Sequence, residues 1–552
     1  MLQALFLLLS FGSLILCEDP VSLEIKAIQE QRSVNIFNNC LELFNETEND
    51  IVLKNNDEDL FSADRRASFS KTLMWDSEKF HKVEFDKMVK AFNDHDINAF
   101  ESLTGGAAPD FQLLRLSNPL ATFAHRLDNV NSWRYSIAVP PEIRSAEAAG
   151  EMVELYWMSL LRDEPFNTYG IDLDPDGVQE KAIVGINKLS DFKGPREKDV
   201  VTSQTLFRGG FSGGNTGPYI SQFLYLPIPE GPAKNYDGSG SGIFKNPSYQ
   251  EFLVPTADKS NNFLTDLKEW ERIQKGKIPL YATTYDQSRR FFLRTGRDLA
   301  EFVYDDSYVA TAGIYAGLII SNFGLGVLDE NFYYQQSSIQ SGFLTFGKEF
   351  VFFLISTVTD LALKAAWFQK WYVHRKLRPE FFGYLVEIES SNPTGLHKDL
   401  VDASVFNESD FSNTRLLSQA YPEGCPVHPS YPSGHAAVGG AVATVLKAVF
   451  NEDFVIPDPV QPNASNDALE PYQGPVLTIA GELNKYADNI AMGRCFAGVH
   501  YRSDSIQGVL LGEKVAIDFL NKLGLTYVEN FAGFSLTKFD GTKITVGAKK
   551  TL

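Results

Sequence analysis

Apolar residues recur at helical spacing in several long stretches of the chain. At Val438, Ala441, Val442, Val445, Leu446 and Val449 they line one face and predict a helix that opens at about His435. The same periodicity predicts helices at Ser145 to Arg162, where Met152, Leu155, Tyr156 and Ser159 share a face, and at Ser288 to Val303 and Ala310 to Ile320. It continues at Val351 to Arg375, Ile479 to Met492 and Ser503 to Leu523. Repeated long helices imply a mainly α, helical-bundle architecture with any site between them. The end of the chain differs. Phe534 to Phe539, Asp540-Gly541 and Thr542 to Val546 alternate around a turn and predict a small C-terminal β-hairpin. Lys193 to Asn262, rich in Gly, Pro, Ser and Tyr, predicts irregular connections that rim a cavity. No internal repeat is evident.

Three stretches carry chemistry. Pro432-Ser433-Gly434-His435 sits at the start of the helix just described, where free N–H groups, the positive end of the helix dipole, a hydroxyl and an imidazole meet. That combination suits an oxyanion, although Pro-Ser-Gly before a helix is also an ordinary cap. The second stretch is AWFQKWYVHRKLRPE, Ala366 to Glu380. On a continuous α-helix Trp367, Lys370, His374 and Arg378 would share an arc of roughly 80°. The third is MGRCFAGVHYRSD, Met492 to Asp504, with Arg494 and His500 too far apart on one helix to serve one site unless the chain breaks near Gly498. His500 and Asp504 are spaced so that the carboxylate can reach the imidazole and fix its tautomer.

Composition narrows the possibilities. The chain has 552 residues, 44% hydrophobic and 13% aromatic, enough for a large core. A formal charge of −20 argues against a nucleic-acid partner. It also makes the five basic residues between Lys370 and Arg378 conspicuous, as if an anion held them together. Residues 2 to 17 read as a secretory signal peptide with a transmembrane anchor as the alternative, and no later stretch reaches the length of apolar chain that a span needs. A secreted or cell-wall location follows, and sequons at Asn45, Asn407 and Asn463 would then accept glycans. Without Cys17 an odd set remains, Cys40, Cys425 and Cys495; a Cys425–Cys495 bridge and two buried thiols both stay open. The organisation expected is a signal peptide (1–17), an N-terminal segment without a chemical motif (18–110), a catalytic region (111–530) and the hairpin (531–552).

Taken together, FQKWYVHRKLRPE, HPSYPSGHA, GELNK and HYRSDSIQG resemble the signature of the vanadium-dependent haloperoxidases, whose superfamily includes the phosphatidic-acid-type acid phosphatases. The resemblance is closest to the algal bromoperoxidases. The Lys370-to-Arg378 spacing matches theirs and is one residue longer than is usual in the phosphatases. Glu154-Leu155-Tyr156-Trp157-Met158 and Arg297-Asp298-Leu299-Ala300 extend it to roughly positions 110 to 530.

The resemblance implies a helical haloperoxidase fold, a vanadate cofactor and no haem. It implies His500 as the only protein ligand of vanadium, and Lys370, Arg378, Ser433, Gly434, His435 and Arg494 around the vanadate oxygens. Asp504 would orient His500, and His435 would be the general acid-base with Asp306 as its carboxylate partner. Trp367 would pack on the cationic face. His428, in the place where fungal chloroperoxidases carry an aromatic ring, would set halide selectivity with Trp367. Substrates would be hydrogen peroxide, bromide or iodide, and small organic acceptors halogenated largely outside the site. An acid phosphatase with His500 as nucleophile, an iodide-specific peroxidase and a non-enzymatic oxyanion-binding protein remain as alternatives, and homo-oligomerisation is left open.

Overall fold

The computed structural model describes residues 26–27, 29–30, 33–34, 54–73, 75–76, 79–80, 82–103, 114–124, 131–170, 176–229 and, apart from 258, 289 and 325, residues 253–548. The expected signal peptide, Asn45 and Cys40 lie outside the described residues. One compact unit comprises Val52–Ala124 and Ser132–Leu552. Residues 1–51 and 125–131 group separately, nearly all of them outside the described residues.

The helices that build the site are α1 (Ala146–Leu160), α2 (Gly296–Phe302), α3 (Asp306–Ser321), α4 (Lys348–Trp367), α5 (Pro379–Ile388), α6 (Gly434–Val449), α7 (Ile479–Phe496) and α8 (Arg502–Gly524). Every residue of α6 is buried, so this helix is the axis of the bundle, wrapped by α4, α7 and α8. Its closest neighbour, α8, approaches through glycines. A Cβ on Gly440 would stand 2.2 Å from the Val509 carbonyl oxygen, and one on Gly512 2.0 Å from that of Ala437. Any side chain there would force the two helices apart.

Caps explain where several helices begin. Ser145, Thr295, Ser433 and Thr478 each accept a backbone N–H at the start of α1, α2, α6 and α7, an interaction worth about 1 kcal/mol at each end. The Thr295 cap also corrects an expectation. The helix anticipated from Ser288 is confined to Gly296–Phe302, because the preceding residues are extended: Thr295 bridges Pro165 and the Arg294 carbonyl accepts from the Phe166 N–H at 2.8 Å.

Besides the two-residue pair of Trp75–Asp76 with Lys79–Phe80, the short sheets in chain order are β1 (Val460–Pro462) with β2 (Leu469–Pro471), which the pattern did not announce, and the C-terminal hairpin, β3 (Phe534–Thr537) with β4 (Lys543–Val546), antiparallel with Phe534 opposite Val546. Phe534 and Leu536 point inward while Ser535 and Thr537 are half-buried, the alternation expected of a strand laid on helices.

Among the described residues one helical stretch, Glu349–His374, is long and apolar enough to cross a membrane, contrary to the expectation that none would be. Its residues pack against α6 and α8 within the bundle, which accounts for its apolar composition as core.

Candidate active site

The site forms where three chain breaks converge. The first follows α4. Instead of continuing as an α-helix, Phe368–His374 widens into a π-helical turn, with the Arg375 N–H donating to the Lys370 carbonyl at 2.9 Å, and Arg375 then turns left-handed (φ 44°). Arg378 is therefore the N-cap of α5, with Pro379 at the first helical position. The single helical face proposed for Trp367, Lys370, His374 and Arg378 does not exist. π-Turns tend to occur where function needs a side chain re-aimed, and here the turn separates the five basic residues. Lys370 and Arg378 enter the site. Arg375 instead forms a forked pair with Glu58, at 3.2 and 2.9 Å. His374 meets the edge of Tyr431, and burial followed by the charge of Lys376 pushes its pKa down to about 3. No single anion holds all five.

The second break is the loop before α6. Ser433 caps the Ala436 N–H, so the first N–H groups of the helix, Gly434's among them, have no partner within the helix. Lys370 Nζ donates to the carbonyls of Pro429 (2.9 Å) and Ser430 (2.7 Å) and so fixes this loop. Both Ser433 and His435 are buried. The third break is at Gly498 (φ 80°), after α7 ends at Phe496. A Cβ there would sit 2.9 Å from the Ser418 carbonyl. The break turns His500 back toward Arg378.

His500 has its tautomer set on both sides. Nε2 lies 3.0 Å from Arg378 Nη1, which can only donate, so Nε2 is the acceptor. Nδ1 lies 2.7 Å from Asp504 Oδ2 and carries the proton. Asp504 is completely buried. It also accepts from Ser430 Oγ and the Tyr501 N–H, and its carbonyl accepts from the Ser433 N–H at 2.9 Å. One residue thus ties the imidazole to the loop of α6. Burial, then the charges of Arg378, Lys370 and Arg494, hold the His500 pKa well below its ordinary value. The ring is neutral, with a lone pair facing a cluster of cations.

Arg378 completes the centre. Nε donates to the His428 carbonyl and Nη1 to that of Val499, both at 2.8 Å. Nη2 reaches the His428 ring, 2.9 Å from Nδ1 and 3.3 Å from Nε2, while His428 Nδ1 is also 3.1 Å from the Pro429 carbonyl. His428 is also buried neutral: burial first, then Arg378 and Lys370, lowers its pKa far below the usual range. Trp367 packs on His428 rather than on the basic residues, ring centroids 4.8 Å apart, and its Nε1 donates to the Ser117 carbonyl at 3.2 Å. Arg494 donates to the Val303 carbonyl at 2.9 Å, just before Asp305 and Asp306, and its buried Nε has no hydrogen-bond partner. Asp306 opens α3, but its side chain lies outside the described residues.

Residues 350–526 match the VCPO second helical-bundle domain. A vanadium-dependent bromoperoxidase of Ascophyllum nodosum is 34% identical over 476 residues, 81% of this chain and 80% of that relative. Another, of Corallina pilulifera, is 33% identical over 571 residues, covering 90% and 94%. The chain belongs to the vanadium-dependent haloperoxidase family. In structure it is similar to the homohexameric second vanadate-dependent bromoperoxidase of Ascophyllum nodosum, with a TM-score of 0.83, 27% identity, and 98% and 94% of the two chains covered.

The donor set of this haloperoxidase fits a vanadate group. Among the described residues no group of three or more His, Cys, Asp and Glu side chains is arranged to hold a metal ion. The fit therefore rests on one imidazole lone pair, on Arg494 Nε as an orphaned buried donor, and on cations aimed at the oxygens of an anion.

Several residues beneath the site were not anticipated. Lys71, from the segment that carried no motif, pairs with Glu380 at 2.9 Å and donates to the carbonyls of Glu423 and Cys425. Glu380 in turn accepts the Cys425 N–H at 2.8 Å. The same segment lies along the chain between Lys370 and Arg378: the Phe69 N–H donates to the Arg375 carbonyl and the Leu377 N–H to that of Ala67. Cys425 and Cys495 are both free buried thiols, so no bridge joins them.

Proposed function

We propose that this chain is a vanadium-dependent peroxidase that uses hydrogen peroxide to oxidise bromide or iodide. The reaction is H2O2 + X⁻ + H⁺ → HOX + H2O, in which the halide gives two electrons to the peroxide bond and the hypohalous acid then halogenates organic acceptors. The observation that carries the reading is the neutral His500 imidazole, its Nε2 lone pair directed into buried cationic donors, in a chain whose curated relatives are named vanadium-dependent bromoperoxidases.

When bound, vanadate supplies a vanadium(V) Lewis acid at which peroxide is activated toward halide. His500 Nε2 would be its only protein ligand. Lys370, Arg378, Arg494, the Ser433 hydroxyl and the Gly434 N–H would bind its oxygens, His435 joining them. Asp504 holds the proton on Nδ1 and so keeps Nε2 as the ligand. His435, buried at the start of α6, would move the proton that the reaction consumes, with Asp306 as its carboxylate. Lys370 would place its ammonium beside the reacting oxygens, where it would favour developing negative charge.

We also propose that the N-terminal leader routes the protein out of the cell. Asn407 is exposed and open to glycosylation. The Asn463 side chain is engaged by Asp467 and Ala468 instead. Homo-oligomers are proposed from the homohexameric structural neighbour. The test of the activity is to add orthovanadate to apoprotein and follow bromide-dependent and iodide-dependent peroxide consumption. Turnover appearing only after reconstitution supports the reading. Phosphoester hydrolysis by apoprotein, with no vanadate-dependent halide oxidation, would overturn it.

A further inference from the structure

One basic residue near the site has neither a ligand role nor a carboxylate partner in hydrogen-bond contact. Lys376 is 6% exposed and its Nζ makes no hydrogen bond, a costly condition for a buried ammonium. What Nζ meets instead is aromatic. The ring centroid of Tyr501 lies 4.5 Å away and that of Tyr431 5.9 Å away, both within the range of a cation–π contact. Neither ring is at a neutral place in the chain. Tyr431 immediately precedes Pro432-Ser433, and Tyr501 immediately follows His500.

The main chain around Lys376 grips the same two loops. Its carbonyl accepts from the Ser430 N–H at 3.0 Å, and the Tyr501 hydroxyl donates to the adjoining Leu377 carbonyl at 3.4 Å. The far end of Tyr431 is anchored by its hydroxyl on the Ala138 carbonyl. Lys376 therefore touches the loop that carries Ser433 and Gly434 and the turn that carries His500, while its side chain shares no partner with Lys370 or Arg378. A cation–π contact weakens as ring and charge separate, so a desolvated ammonium between two rings resists their spreading.

We propose that Lys376 is a positioning residue: its ammonium, held between the Tyr431 and Tyr501 rings, sets the separation of the Ser433 loop from His500 and pre-organises the oxyanion cradle. The proposal rests on the function put forward above. The Lys376 charge also favours the ionised forms of the buried Glu151 and Asp57 carboxylates, so its removal lowers stability as well as freeing the two rings. A positioning lysine is told from a merely structural one by vanadate affinity measured where every variant is fully folded.

The experiment measures vanadate binding to full-length apoprotein by equilibrium dialysis, with the thermal midpoint of each apoprotein beside it. Lys376→Met is expected to raise the vanadate Kd about tenfold at a temperature well below its own midpoint, and Lys376→Arg to recover most of the affinity. Should Lys376→Met fail to fold, the ring is varied instead: Tyr501→Leu is expected to bind about tenfold more weakly than Tyr501→Phe, which keeps the aromatic face. Wild-type affinity in Lys376→Met overturns the proposal, as does equal affinity of the two Tyr501 variants or a loss that merely follows a falling midpoint. If wild-type protein itself does not bind vanadate, the function reading fails; if wild type binds and Lys376→Met binds equally, only the positioning role fails.

Discussion

Two sets of buried cations differ in what holds them. In the site, Lys370 donates to the carbonyls of Pro429 and Ser430, Arg378 to two carbonyls and two imidazoles, and Arg494 to carbonyls and the Tyr421 hydroxyl. Behind it, Lys71 pairs with Glu380, Arg375 with Glu58, Arg502 with Glu154 and Arg297 with Asp163. Carbonyl, hydroxyl and imidazole acceptors satisfy the hydrogen bonds of a cation without neutralising its charge, whereas a carboxylate does both. The front set is therefore held in place yet still able to exchange its acceptors for an anion. The rear set is locked. Charge of the same sign and comparable burial thus serves binding in one region and rigidity in the other.

The largest expected effect comes from removing the one lone pair at the centre of the front set. His500→Ala should abolish vanadate binding, because it removes the imidazole whose Nε2 faces Arg378 while Asp504 holds the proton on Nδ1. The fold should persist, since the rear ion pairs do not involve His500. Equilibrium dialysis with vanadium analysis measures it, and wild-type stoichiometry in the variant would sink the ligand assignment.

A substitution in the rear set should do the reverse. Lys71→Met leaves the Glu380 carboxylate buried, with the Cys425 N–H as its remaining donor. Breaking a buried pair by removing one partner costs about 3–5 kcal/mol, read as a lowered midpoint in denaturant unfolding. Lys71→Met combined with Glu380→Gln should recover much of that loss, since no charge is then stranded. If the single variant is as stable as wild type, the distinction between the two sets fails on the rear side.

How much of this was legible follows the same division. The turn at Pro432 to His435 and the His500–Asp504 spacing could be read because the chemistry fixes which residue types stand at which separation. The hairpin and most long helices could be read from periodicity. The geometry of Lys370 to Arg378 could not, because an i→i+5 turn leaves no mark on an apolar pattern tuned to 3.6 residues. Residues 54 to 73 were opaque for another reason. Their hold on the site runs through backbone hydrogen bonds at Ala67 and Phe69 and through isolated charges at Glu58 and Lys71, none of which forms a local pattern. The early end of the helix expected from Ser288 was likewise decided by a distant bridge, Pro165 to Thr295.

A more exposed member of the rear set should give a smaller effect. Glu58 is 20% exposed at its side chain and Arg375 9%, so water screens the pair more than it does Lys71 and Glu380. Glu58→Gln should cost about 1 kcal/mol and leave vanadate affinity near wild type, because Arg375 donates to the Trp371 and Tyr372 carbonyls as well. Denaturant unfolding and dialysis on the same preparation test both halves. An affinity loss larger than the stability loss would mean that the rear set is coupled to binding and not only to rigidity.

The smallest effect belongs to His428, which stands between the two sets: it touches Arg378 and is covered by Trp367. Its buried ring is held by Arg378 Nη2, 2.9 Å from Nδ1, and lies against the Pro429 carbonyl, so it acts as a fixed polar group and not as a proton reservoir. His428→Ala should let the Arg378 fork shift and change the bromide-to-iodide ratio of kcat/KM by about threefold, the size of a loss of roughly 0.6 kcal/mol of differential stabilisation. The pH–rate profile near neutrality should keep its shape, since a ring whose pKa is pushed far below the usual range does not change charge there. Stability supplies the sign check. The unfolded chain protonates His428 as pH falls through about 6.5, whereas the folded protein does not, so the native state loses stability toward acid. His428→Ala removes that contribution, and its midpoint should fall less between pH 7 and pH 5 than that of wild type. An altered pH–rate profile with an unchanged halide ratio would assign the ring to proton transfer instead.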